Sequence, residues 1–539
     1  MSLPRFLDRV VDATAPVLEG LDRGAVRERL AGASITLVAG DAVAAGPARE
    51  GFMLSANLVS RLYPRIRLRG PEEVVRAAEG VIVLINPMAD VAVADEETSA
   101  TLAYETDVDG SSVVSVAARG WNVYVDTDAG EHGEVAVPAA FAAASLGVAE
   151  AFRIVFADDL GPRGRRGRQP GAFNLVTLGQ VQHGLPVRAA FDVGSVRLVG
   201  TGAIGQAAAL TLALSGAAGT LIAIDHDTIA LSNMQRYVLT RDGDVGAVKV
   251  DLLLERLANA SLHVVPVPSE WHAGLVEEQL PTLAALDTPD ARLGVQASLP
   301  GPIYNAWTQP ADVGWSRHEH FGEEPCLACL YLPQHEVPSR HEQIADAFQQ
   351  HPLRVLSYLV HRLPIGLPLP PGGVPVVPGI ETPPDADRWL TTPLVDDVAA
   401  AAGLPASELN AWRDRPLADV YQDGICGGAL LHLNVGAAPR DVLVPLAHQS
   451  ALAGVMLATQ LLSAVVPELR TARAASVEGR YDVLAGLPQV LGRPRTRTDG
   501  CFCGDAVWCE IYGAKLGVEA PQPASAGAEG RQSERDPRP

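Results

Sequence analysis

Between positions 196 and 249 the chain gathers residues suited to holding a polyanion: Gly200, Gly202 and Gly205, then Asp225, Asn233, Arg236 and Lys249. The stretch reads VRLVGTGAIGQAAALTLALSG, then LIAIDHDTIALSNMQRYV, then GDVGAVK. A Val-rich run stops at the first glycine and a small-residue helix follows, so the pattern predicts a strand, a tight turn and a helix N-terminus. Backbone N–H groups and the helix dipole receive phosphate at such a turn. Glycine spacing alone points to a dinucleotide site. A second strand, 221–224, ends at Asp225, placed to bind a ribose hydroxyl pair. Arg236 and Lys249 shift the reading to a triphosphate, whose charge must be neutralised and whose α-phosphorus must be made electrophilic.

Six cysteines all lie at or after position 326. A secreted disulfide framework would not leave the first 325 residues bare, so metal binding and thiol chemistry are expected. Cys326 and Cys329 form CLAC; Cys501 and Cys503 form CFC. Thiolate pairs on two short turns suit tetrahedral Zn²⁺, with Cys509 as an alternative ligand and a set of reduced, buried thiols as the plain reading. Cys426 stands alone in DGICGGALL. Gly427 and Gly428 would let it approach a ligand as a nucleophilic thiolate; a small buried hydrophobe is the competing reading. His448 reads as a satisfied core histidine, and Arg317 with HEH at 318–320 as a solvated loop rather than a metal site.

The elements that position these groups fall into two echoing halves. SITLVAG (34–40) is a strand ending in Gly, like VRLVG; VIVLIN (81–86) and GWNVYVDTD (120–128) read as further strands. VIVLIN takes the place of the strand before Asp287. The helix PAAFAAASLGVAEAFRIVF (138–156) has QSALAGVMLATQLLSAVV (449–466) as its counterpart. The N-terminal copy lacks the glycine motif and the DxD…SNxxR run, so it is expected to be an inactive repeat. The implied organisation is an α/β, Rossmann-like protein. Residues 1–160 form the inactive domain and 161–193 an Arg-rich linker. Residues 194–331 begin the active domain, 332–424 form a helical, Pro-rich insertion and 425–517 complete the active domain with its zinc-binding end. The tail 518–539 has almost no large apolar residues and is expected to be disordered.

With 539 residues, several domains are expected; the net charge of −21 argues against nucleic acid or an anionic membrane as partner. MSLPRFLDRVVDA is charged, with no long apolar core, and 442–467 is interrupted by Pro445, His448 and Gln449. A cytoplasmic protein without membrane spans is therefore expected.

GTGAIG, DHDTIALSNMQRY and GDVGAVK together resemble the ThiF/MoeB-type adenylating domain, shared with ubiquitin-activating enzymes. The resemblance covers roughly 196–331 and resumes at 424–466. It implies adenylation of the C-terminal carboxylate of a ubiquitin-like or sulfur-carrier protein, with ATP and Mg²⁺. Asp225 would bind ribose; Asn233, Arg236 and Lys249 would hold phosphates; Asp287, in AALDTPDAR with Arg292 five residues on, would hold Mg²⁺. Tyr237 departs from the family, where many members carry Gln. The resemblance also implies structural zinc from two cysteine pairs, face-to-face packing of two such domains, in a homodimer or an active–inactive pair, and an arginine from the opposing N-terminal segment. Arg5, Arg9, Arg27 and Arg29 are candidates for that arginine. A thioester on Cys426, followed by a conjugating enzyme, is the fuller expectation; an enzyme that stops at the acyl-adenylate is the alternative. An NAD(P)- or FAD-binding oxidoreductase and a non-catalytic scaffold fit Arg236 and Lys249 less well.

Overall fold

A computed structural model describes residues 6–93, 98–165, 170–275, 279–309, 312–332, 445–487, 492–493, 495–498 and 501–521. In the first sheet, strands β1 (Ser34–Ala39), β2 (Arg65–Arg69), β3 (Asp90–Ala92), β4 (Ala100–Tyr104), β5 (Val113–Arg119), β6 (Asn122–Val125) and β7 (Gly171–Asn174) are ordered 3-2-1-4-5-6-7. The first five in that order are parallel, and β6 and β7 turn antiparallel. The second sheet comprises β8 (Phe191–Val199), β9 (Ala217–Ile224), β10 (Leu262–Val267), β11 (Thr282–Ala284), β12 (Ile303–Thr308), β13 (Asp312–His318), β14 (Glu478–Asp482) and β15 (Gly492–Arg493). Its order, 10-9-8-11-12-13-14-15, repeats the first sheet strand for strand and adds β15 at the edge.

The likeness extends to single residues. A Cβ at Gly40, after β1, would sit 2.1 Å from Glu105 O; one at Gly200, after β8, would sit 2.5 Å from Ala285 O. Glu105 and Ala285 each follow the equivalent strand, β4 and β11. The first half has nevertheless lost the chemistry. With Val38 opposite Arg69 and Val199 opposite Ile224, the place of Asp225 falls to Pro71, which has no carboxylate.

The first half has helices α1 (Leu7–Thr14), α2 (Arg23–Gly32), α3 (Gly46–Ser60), α4 (Glu72–Ile85) and α5 (Val137–Val155), of which the last three recur at equivalent places in the second half. The second half has α6 (Ala203–Leu214), α7 (Lys249–Arg256), α8 (Pro289–Ala297), α9 (Ala447–Val465) and α10 (Ala506–Leu516). Small residues line α5, α6 and α9, which lets these helices pack closely, α9 lying against both others. Among the described residues α5 is long and apolar enough to cross a membrane, but 94% of that stretch is buried within the protein. One apolar core runs from Phe6 to Leu484 across both sheets, so the described residues pack as one unit.

Two expectations change. VIVLIN is not a strand: it closes α4, whose buried residues Val74, Val75, Ala78, Ile82 and Ile85 fall on one helical face while Val83 and Leu84 are exposed. The strand in the place given to it is β4. The segment expected to be a linker contributes β7 to the first sheet.

Candidate functional site

β8 lies between β9 and β11: the chain leaves β8 towards β9 and returns from β10 to β11 on the other side. It is at the carboxyl ends of strands flanking such a switch in order that open α/β sheets form a ligand crevice. Gly200 turns the chain there with φ +90°, a conformation that favours glycine, against the Ala285 carbonyl. A Cβ at Gly205 would lie 2.0 Å from Gly200 O, so both glycines are required by backbone contact. Gly202 is the N-cap of α6, with no side-chain cap, so the first N–H groups of this helix have no carbonyl partner within it.

Asp225 follows β9. One carboxylate oxygen accepts from Thr201 N at 2.8 Å and Thr201 Oγ1 at 3.1 Å, and the other from Asp227 N at 3.0 Å. The glycine turn and the acidic strand end are thereby joined. Lys249 starts α7. Its Nζ donates to Asp227 Oδ2 at 2.7 Å, stands 3.8 Å from Asp225 Oδ1 and lies 5.7 Å from the Tyr237 ring centre. Burial opposes its charge, but Tyr237, Asp225 and Asp227 outweigh burial and hold the ammonium above its ordinary range.

The Arg236 guanidinium carbon also lies over the Tyr237 ring, 5.6 Å from its centre, and its Nη1 is buried with no hydrogen-bond partner. Burial lowers its pKa; Tyr237 opposes this, Arg9 adds to it and Asp287 opposes it. The fold has thus brought Arg9, from α1, and Asp287, from the loop after β11, within electrostatic reach of Arg236. Arg9 likewise has a buried, unpartnered Nε. Two guanidiniums with orphaned N–H groups near one crevice suit a polyanion.

Asp287 is exposed. Its loop is fastened by Arg292, which donates to Asn305 Oδ1 at 3.0 Å, to Ala306 O at 3.2 Å and to Leu286 O. Asn233 is used locally: its Oδ1 accepts from Ala230 N at 2.8 Å, closing the turn before Arg236. Sequence reasoning passed over Asp227 as the partner of Lys249 and Tyr237 as the platform under both cations; the DxD spacing and the RY pair were the available signals.

Cys326, Cys329, Cys501 and Cys503 are buried, with all sulfurs within 4.8 Å of one another. Cys326–Cys501 and Cys329–Cys503 Sγ separations are 3.4 and 3.5 Å. Tetrahedral Zn²⁺ with Zn–S about 2.3 Å would set sulfurs about 3.8 Å apart, so this donor set fits zinc closely. Thr498 N donates to Cys329 Sγ at 3.5 Å, the kind of contact that supports a thiolate. Cys509 is buried nearby but stands outside the four, and Cys426 lies outside the described residues.

Two histidine readings are corrected. His318 is not in a solvated loop; it is buried in β13, with Nδ1 2.7 Å from Pro325 O and Nε2 3.0 Å from Ser316 Oγ. The pattern of small and polar residues in VGWSRH hid a strand buried on both faces. His448 is a core residue, but neither ring nitrogen has a partner, and the imidazole lies against Phe152 with ring centres 6.0 Å apart. Burial lowers its pKa to about 3. Between about pH 6.5 and that value the unfolded chain binds a proton that the folded chain refuses, so stability falls as pH falls, by about 1.4 kcal/mol per pH unit. His448→Leu should flatten the acid limb of the melting-temperature profile between about pH 6.5 and pH 5. An unchanged slope would show that this histidine does not titrate between folded and unfolded states.

The family model described as the ThiF family matches residues 187–474, more than half of the 539 residues. A protein of Sinorhizobium fredii described as uncharacterized protein y4jF is 29% identical over 542 aligned positions, covering 96% of this chain and 98% of that one. Adenylyltransferase and sulfurtransferase uba4 of Aspergillus terreus is 41% identical over 91 residues, 17% of this chain and 19% of that protein. Molybdopterin-synthase adenylyltransferase of Salmonella typhimurium is 32% identical over 147 residues, 25% of this chain and 57% of that protein. By the extent of the family match, and with the glycine turn, Asp225, Arg236 and Lys249 gathered at one crevice, the chain belongs to the ThiF family.

Proposed function

We propose that this chain adenylates the C-terminal carboxylate of a ubiquitin-like or sulfur-carrier protein, using ATP. The observation that carries the reading is the pair of cations on Tyr237: Lys249 is neutralised by acidic neighbours, whereas Arg236 keeps a buried, unpartnered Nη1. The adenylyltransferase relatives support the same reaction class. Asp225 would take the ribose, the turn at Gly200–Gly205 the phosphates, and Asn233 would position them through its turn. Arg9 is the arginine favoured to complete the site, because its charge acts on Arg236.

The substrate carboxylate is ionised at neutral pH and needs no general base. It attacks the α-phosphorus, the bond to the bridging oxygen breaks, and pyrophosphate leaves. Arg236 and Lys249 stabilise the charge that develops on the way. Asp287 offers an exposed hard oxygen suited to Mg²⁺, which would neutralise phosphate charge when bound. The acyl-adenylate is a mixed anhydride: a thiol attacking its carbonyl would form a thioester, break the acyl–phosphate bond and release AMP. We assign that thiol to Cys426, in the segment between the described parts of the active half. A conjugating enzyme would then accept the acyl group.

ATP–pyrophosphate exchange and a reducible adduct separate the steps. With a ubiquitin-like protein ending in Gly, Cys426→Ala should keep full exchange and lose the adduct. An adduct that persists in this variant moves the role to another cysteine, and exchange without any adduct favours an enzyme that stops at the adenylate. No exchange with any such protein removes the adenylation reading.

A further inference from the structure

Helix α3 belongs to the inactive half, yet its C-terminal turn is built into the loop that carries Arg236. Arg61, the residue after α3, is 1% exposed. Its Nε donates to Asn57 Oδ1 at 2.9 Å, its Nη2 to Thr240 O at 2.8 Å and its Nη1 to Met234 O. Asn57 Nδ2 in turn donates to Val238 O at 2.8 Å. The carbonyls of residues 234, 238 and 240 bracket Arg236 and Tyr237, and helix α3 engages all three.

That loop has little regular structure of its own. Its internal bonds are single turns, from Arg236 N and Tyr237 N to Asn233 O and from Thr240 N to Tyr237 O. Side chains therefore set its course: Gln206 of α6 accepts from Leu239 N at 3.1 Å, and Arg256 donates to Leu239 O at 3.3 Å. Only Arg61 and Asn57 reach it from the other half among the hydrogen bonds of the described residues. Burial lowers the Arg61 guanidinium to about 9, which leaves it charged at neutral pH. Its bonds to carbonyls are thus charge-assisted and directional. Arg236 itself makes no comparable bond through Nη1, so its aim depends on its backbone.

We propose that Arg61 is a positioning residue for nucleotide binding, through which the inactive half fixes the loop that aims Arg236 and Tyr237 at the phosphates. This rests on the ATP-binding reading above. It gives the repeat a task that its own lost motif no longer performs: it is a working wall of the site. A Lys at this position keeps the charge but cannot reach two carbonyls and Asn57 in one plane.

The test uses the full chain and two probes, MgATP and adenosine, in direct binding measurements. Arg61→Lys should weaken MgATP binding by about tenfold to a hundredfold, the scale of a displaced phosphate ligand, while adenosine binding stays unchanged. In an Arg236→Ala background the same change should cost less than about twofold, because the two residues act as one unit. Asn57→Ala should show the same pattern more weakly, and it serves where Arg61→Lys does not fold. Equal loss of MgATP and adenosine, or losses that multiply with Arg236→Ala, would reduce Arg61 to a structural residue. Unchanged MgATP binding in both α3 variants, with Arg236→Ala still impaired, overturns this role alone. Wild-type protein that binds no MgATP overturns the adenylation reading and this role with it.

Discussion

Replacing Lys249 with Ala should lower ATP–pyrophosphate exchange by about 10²–10³, the cost of removing one preorganised charge from a developing transition state. The geometry makes this position worse to lose than an ordinary surface lysine. Its ammonium is 2.7 Å from Asp227 and 3.8 Å from Asp225, and its side chain is only 8% exposed. Without it, two carboxylates face the triphosphate with no local cation between them, and the repulsion adds to the lost attraction. Lys249→Arg should recover part of the rate, since the charge returns with a different shape. Asp287→Ala should match the loss through a different route, its proposed part in holding Mg²⁺; being exposed, Asp287 can be removed without unfolding. Circular dichroism on each variant separates lost chemistry from lost fold. Near-normal exchange in folded Lys249→Ala and Asp287→Ala would show that the crevice between β9, β8 and β11 is not where ATP reacts.

Much of this crevice was legible in the sequence, because strand, glycine turn and helix leave a local signature: Gly205 is fixed by the nearby Gly200 carbonyl, although the carbonyl that fixes Gly200 itself, that of Ala285, comes from the end of another strand. The repeat was legible in outline from the paired small-residue helices. Individual elements were not. VIVLIN has five apolar residues in a row before Asn86, a length at which buried strand and helix end look alike; only exposure of Val83 and Leu84 settles it as helix. β7 is four residues long and exists because β6 offers it an edge. Long-range partners were the least legible. Arg61 is separated by 173 residues from Met234, and nothing in SRLYP marks it as an arginine that will be wholly buried. His448 looked like a residue whose needs would be met, because buried polar groups usually are. Its unpartnered nitrogens emerge only once α5 and α9 are packed together.

Purified protein should contain about one zinc per chain, because four buried thiols this close together form a donor set suited to tetrahedral Zn²⁺. The sulfur separations of 3.4 and 3.5 Å are too long for disulfides, whose bond is about 2.05 Å, and four thiols this close cannot ionise together without a cation. Stripping zinc, or making Cys326→Ser with Cys329→Ser, should therefore remove the main bond holding this corner. Structural zinc contributes on the order of 10 kcal/mol in small zinc-dependent folds, more than a small apolar cluster can replace. The consequence should be local before it is global. The cysteines belong to a satellite core with Leu299, Phe321, Phe502, Trp508 and Tyr512, separate from the large core of the two sheets. Melting should split into an early transition, reported by Trp508 fluorescence and by proteolysis at α10, and a later one near the original temperature. The damage should also reach the loop that carries Asp287. His318 bonds to Pro325 beside Cys326 and to Ser316; Ser316 bonds to Asn305; Asn305 bonds to Arg292, which fastens the loop of Asp287. A loosened cluster should therefore weaken MgATP binding even while both sheets stay folded. A metal-free native protein with one unshifted transition would mean that packing alone holds the four cysteines, and that the corner owes nothing to zinc.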